Sequence, residues 1–188
     1  GVLQVGTGGS LGGTSQVVVN EGGSLLLAGG GGNQIHNSAA IVLNGGSVVL
    51  GGGVTMNESV GVLTLTANST LDFGTLATGQ VLRFADSTLA DWGSFVLSVW
   101  NWTEGVDALF FGSTFGLGLT ESQLQQVMFY SDAGQTFLGD GNHLDAGEVS
   151  PVPEPASMLF VLGLVLVVAY RERRWLLRCP EARLQMPA

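Results

Sequence analysis

Short runs of valine, leucine and isoleucine alternate with glycine-bearing polar turns through the first third of the chain. The runs Val17-Val18-Val19, Leu25-Leu26-Leu27, Ile41-Val42-Leu43 and Val48-Val49-Leu50 are too short for helices. Branched aliphatic residues bounded by glycine read as strands. The turns also recur at a fixed distance. Asn20-Glu21-Gly22-Gly23-Ser24-Leu25 is echoed by Asn44-Gly45-Gly46-Ser47-Val48, and the interval from Gly22 to Gly45 equals that from Ser24 to Ser47. The same interval leads on from Ser47 to Thr70, within Ala67-Asn68-Ser69-Thr70-Leu71-Asp72-Phe73. Gly8-Gly9-Ser10-Leu11 resembles an earlier copy but stands closer to Gly22 than one full interval, so the register slips there.

A period in the low twenties made of short strands and glycine turns predicts a solenoid, because one coil cannot bury its apolar stripe whereas stacked coils share it. The expected fold is all-β: a short parallel β-helix over residues 1–80, with an antiparallel meander of hairpins as the alternative. Residues 81–138 then read as a capping segment. Phe95-Val96-Leu97-Ser98-Val99-Trp100-Asn101-Trp102 is nearly continuous in apolar side chains, as a strand closing one end of the solenoid would be. Thr120-Glu121-Ser122-Gln123 has the form of a capping box and leads into Leu124, Val127 and Met128, predicting one helix over about 121–130. Residues 139–155, rich in glycine, aspartate and proline, read as a linker.

A different pattern follows. From Ala156 to Tyr170 the chain has no charge, and Arg171, Arg173 and Arg174 come directly after. As a helix the run would span about 22 Å, short of a hydrocarbon core roughly 30 Å thick. Its nine Leu, Val and Phe residues still favour insertion, by about 3 to 5 kcal/mol together. Residues 156–174 are therefore expected to form a single transmembrane helix with its arginine anchor, and 175–188 a basic cytoplasmic tail. The arginines orient the body to the far side of the membrane.

Charge sharpens that division. Up to Pro155 the one cation, Arg83, faces thirteen carboxylates, whereas from Arg171 onward five arginines face two glutamates. An acidic body of this kind is repelled by phosphate backbones, so nucleic acid is not an expected partner. Cys179 is the single cysteine and lies in the tail, which excludes an intrachain disulfide. No leader segment can be read at Gly1.

The order Val152-Pro153-Glu154-Pro155, apolar span, arginine cluster resembles proteins with the PEP-CTERM sorting domain, found in Gram-negative bacteria that make exopolysaccharide. The glycine-rich body is similar to the autotransporter-type repeat regions of many such proteins. The resemblance implies recognition by an exosortase, a membrane protease or transpeptidase that removes span and tail. The body would be held transiently in the inner membrane on its periplasmic side, then pass to the cell surface or extracellular matrix. The stretch from Trp175 to Ala188 departs from the family, whose members usually stop soon after the arginines.

Candidate chemistry elsewhere is sparse. Asp140-Gly141-Asn142-His143-Leu144-Asp145 alternates oxygen ligands but lacks the oxygen that an EF-hand loop needs at Leu144 and the glycine it needs at Asp145, and reads as a solvated turn. His36 and His143 have no companion ligands at zinc spacing. Asp86 and Asp91 are the carboxylates a glycoside-acting β-helix would offer, without a motif to support them. Trp92, Trp100 and Trp102 are candidates for stacking on sugars. The expected function is that of a non-catalytic surface or matrix protein without cofactor or metal. An exopolysaccharide-binding module and a β-helix enzyme are the alternatives.

Overall fold

The computed structural model describes residues 1–51, 53–75, 79–114 and 118–152. They form a parallel β-helix with three faces. On the first face β1 (Val2–Val5), β3 (Ser24–Leu27), β5 (Ser47–Leu50), β8 (Ser69–Asp72), β10 (Leu97–Trp100) and β12 (Val127–Tyr130) stack in parallel. The second carries β2 (Gln16–Asn20), β4 (Ala40–Asn44) and β7 (Leu63–Ala67). On the third, β6 (Asn57–Ser59), β9 (Val81–Phe84) and β11 (Ala108–Phe111) stack. The chain visits the second, first and third faces in turn.

The repeat interval of the sequence is the register itself: Ser24 lies opposite Ser47, and Ser47 opposite Thr70. Parallel pairing excludes the hairpin alternative. The turns lie one above another, with the Asn44 side-chain amide donating to Asn20 Oδ1 at 3.1 Å and the Gly45 amide donating to Ser69 Oγ at 3.0 Å. The earlier copy sits elsewhere than the turn motif suggests. Val2 pairs with Ser24, while Leu11 bridges to Ile35.

Although the runs are continuously apolar, burial alternates with period two. One inward column runs through Leu25, Val48, Leu71, Val99 and Phe129, and each member is buried. Full burial of such a side chain is worth about 1.5–3 kcal/mol, and stacking lets every coil use its neighbour's apolar surface.

Three expectations are corrected. The aromatic stretch around residues 95–102 does not close an end, because β10 lies between β8 and β12. Its apolar character reflects burial among neighbouring coils. The helix α1 (Glu121–Leu124) has the predicted capping box on Thr120 and Gln123, but Val127 to Tyr130 is strand β12. The apolar spacing of Leu124, Val127 and Met128 mimics a helix, whereas Val127 and Phe129 take the inward sites opposite Leu97 and Val99. Residues 139–152 are not a linker. β13 (Phe137–His143) pairs antiparallel with β12, and β14 (Glu148–Pro151) pairs antiparallel with both β13 and β11. This hairpin joins the first face to the third and closes the C-terminal end.

The glycines that suggested a loop serve close packing. At Gly139 φ is +149° and a Cβ would collide with the Val152 carbonyl oxygen. At Gly141 it would meet Leu124, Val127 and Val149 atoms at 3.1 Å. Among the described residues no helix is long and apolar enough to cross a membrane. The span expected at 156–174 lies outside them.

Candidate functional site

The sequence signal singled out for function joins the body at its closing hairpin. Val152 is the last described residue. Its amide donates to the Asp140 carbonyl at 2.9 Å, while its side chain is 47% exposed. The chain is thus held by backbone bonds up to the residue before Pro153. Pro153, Glu154 and Pro155 of the motif, and Ala156, Tyr170, Arg171, Arg173 and Arg174 of the anchor, lie outside the described residues. At the hairpin's other end, a 3-10 turn at Asp145–Gly147 lets Leu144 donate its amide to the Glu148 carbonyl at 2.7 Å.

The two aspartates named as candidates for the enzyme alternative each serve a turn. Asp86 Oδ1 accepts from the Thr88 amide at 3.0 Å and the Thr88 hydroxyl at 2.7 Å. The Thr88 amide, then its hydroxyl, hold that carboxyl below the usual range. A carboxyl so held is unsuited to act as a general acid near neutrality. Asp91 Oδ1 accepts from the Gly93 amide at 2.8 Å. His36 Nδ1 lies 2.9 Å from the Ser38 hydroxyl on the surface, while His143 is buried with Nε2 3.3 Å from the Leu119 carbonyl. Asp140 to His143 belong to β13 and not to a loop. Among the described residues no cluster of three or more His, Cys, Asp or Glu side chains is placed to hold a metal.

The tryptophans correct an expectation. Trp92 and Trp102 are buried, and neither offers a face to a sugar. Trp92 donates Nε1 to the Leu63 carbonyl at 3.0 Å. Trp102 sits edge-on between Phe73 and Phe129, with centroids 5.1 and 4.8 Å away. Such contacts add to area burial. Trp100 remains half-buried.

Sequence reasoning missed a line of buried polar side chains near the third face. Glu58 takes the Gln34 and Ile35 amides at 2.9 and 3.1 Å. Gln80 Oε1 takes the Met56 amide at 2.7 Å, and Asp107 takes the Gln80 and Thr103 amides at 2.9 and 2.8 Å. Each satisfies backbone donors that would otherwise be orphaned inside the solenoid. Burial pushes the Glu58 and Asp107 carboxyls up, against the backbone bonds that pull them down. The available signal was a polar residue recurring about one coil apart, from Gln34 to Glu58 and again from Gln80 to Asp107.

No curated protein and no solved structure matches the chain. A family model does match at its C-terminal end: the PEP-CTERM protein-sorting motif, over residues 151–174. The match begins on Pro151, the last residue of β14. The chain therefore carries a PEP-CTERM sorting signal, which implies export and sorting to the cell surface.

Proposed function

We propose that the protein is a non-catalytic surface or matrix protein, a β-solenoid delivered by a disposable C-terminal tail that an exosortase reads and removes. The observation that carries this reading is the motif at residues 151–174 following directly on the strand that closes the solenoid. Pro153 and Pro155 disfavour helix and bias the motif toward extended backbone, a form that a protease can grip. Glu154 is a charge that the hydrocarbon core excludes, so it marks where the apolar run begins. The arginines hold the other end at the cytoplasmic face until cleavage. The non-catalytic part of the reading rests on Asp86 and Asp91, each engaged in its own turn.

Replacing Pro153, Glu154 and Pro155 together by alanine tests the sorting. In a host with an exosortase, the unaltered body should appear in the extracellular fraction, and the triple variant should stay full-length in the inner membrane. Release of the variant at the unaltered rate would overturn the proposal. Deleting residues 175–188 should leave release intact.

A further inference from the structure

In a body so rich in carboxylates, the single guanidinium among the described residues forms no ion pair with any of them. Arg83 is exposed at the centre of β9, and no ion pair or side-chain hydrogen bond engages it among the described residues. It is nonetheless held in place. Across the third face Arg83 lies opposite Ser59 on one side and Phe110 on the other. Its guanidinium carbon stands 4.2 Å from the Phe110 ring centroid, a contact that orders the side chain and leaves its N–H groups free.

The same arginine lines a groove of about 500 Å³ that crosses the C-terminal ends of β6, β9 and β11. That volume suits a small ligand. Ser59, Ser113 and Thr114 line the groove with hydroxyls that no protein group engages among the described residues. Asp86, also on its rim, is occupied by Thr88. Glu148 is the next residue along the row beyond Phe110, and it forms no ion pair with Arg83 among the described residues.

A planar fork of donors, held by Phe110 behind it, and solvated hydroxyls beside it together match one ligand chemistry: a pyranose that bears a carboxylate. The guanidinium takes the carboxylate bidentately, and the hydroxyls exchange hydrogen bonds with the ring's own. A neutral sugar would leave the guanidinium unused. A bare anion such as sulfate would meet the fork but would offer no hydroxyls to the groove's own. We infer that this groove binds a single uronate residue of a polysaccharide through Arg83, one carboxylate to one guanidinium. The inference stands apart from the sorting proposal, since binding is read on the purified protein whether or not its tail is processed.

The test is calorimetric titration of the purified full chain, in non-ionic detergent, with an oligomer of α-1,4-linked galacturonate. A maltooligosaccharide of equal length and sodium sulfate at matched ionic strength serve as comparisons. The galacturonate oligomer should bind, and the other two should not. Arg83→Gln should weaken binding about tenfold or more, the loss expected for a charge-assisted hydrogen bond. Arg83→Lys should recover only part of it, because a lysine lacks the fork. Thermal melting of each variant shows that the solenoid is intact. Absence of galacturonate binding, equal binding of maltooligosaccharide or sulfate, or an Arg83→Gln variant that binds unchanged would each overturn the inference.

Discussion

Glu58 shows what one side chain must do inside a solenoid. It shares a column with Leu82, Leu109 and Val149, where a hydrocarbon would pack as well, yet it is fully buried and bonded to two amides. Glu58→Leu would restore the apolar column and orphan both donors, at about 1–3 kcal/mol each, so net destabilisation is expected in urea unfolding. The carboxyl also predicts a pH dependence. Its folded pKa is raised above the ordinary value of 4.5, chiefly by burial. A raised folded pKa means that the native state holds the proton more tightly. Its stabilising contribution is therefore full below the unfolded value and is lost as pH rises through the folded one. Asp107 acts in the same direction. Asp86 and Asp132, whose carboxyls are lowered by Thr88 and Thr136, act oppositely, losing stability as pH falls through their folded values. Above the ordinary carboxylate range the first effect leads, so the urea midpoint should rise as pH is lowered from neutrality toward that range, and Glu58→Gln should flatten that rise. An unchanged slope in Glu58→Gln would remove Glu58 as its source.

At the scale of elements, the closing hairpin carries most of the consequence for sorting. An open parallel stack presents unpaired backbone at its last coil, and β13 and β14 pair with it by reversing direction. Helix α1 supports the same end. Gln123 Nε2 reaches the Ser87 and Ala90 carbonyls, and Gln126 Nε2 reaches those of Gly93 and Phe95, all near 2.9–3.0 Å. Gly139→Ala should break the fit, since the added Cβ would strike the Val152 carbonyl and the backbone there disfavours any side chain. The expected result is loss of the bond between the Val152 amide and Asp140, with the earlier coils intact. Limited proteolysis should then cut first between 137 and 152, while an alanine variant as resistant as the unaltered chain would count against the hairpin as the closing element. The capping box here was legible because it is local, with Thr120 and Gln123 one helical turn apart. Where α1 stops was not legible, because that depends on which coil Val127 meets.

For the whole molecule, the repeat implies modularity. Each coil contacts its neighbours, so removing one full period keeps inward residues inward, whereas removing a fraction of one rotates the rest onto wrong faces. Deleting residues 47–69 would bring Thr70 to the place of Ser47 and set β8 on β3 in register. That variant should fold with the far-ultraviolet circular dichroism of a β-solenoid and a lower melting temperature. Deleting residues 47–58 should abolish cooperative unfolding. Equal melting of the two deletions would show that register is not what holds the stack together.

The sequence by itself determined the local and periodic features. Glycine turns bounding branched strands, the constant interval between those turns and the Thr120 cap rest on residues close together or on a regular recurrence. The sorting signal is likewise a linear order of proline motif, apolar run and arginines, and the family match covers that same stretch. Tertiary structure decided what depends on a neighbour in space. It placed Trp92 and Trp102 in the core, where Trp92 packs on Phe111 and Trp102 on Phe73 and Phe129, partners brought near only by the stacking of coils. It turned the glycines of 139–141 from apparent linker into a packed hairpin, because a side chain would strike the Val152 carbonyl at Gly139 and crowd Leu124, Val127 and Val149 at Gly141. It also set Arg83 on Phe110 and Glu58 on two distant amides. Residues one coil apart touch through stacking, and beyond Thr70 the coils lengthen, so the interval of the first turns no longer fixes which residues meet.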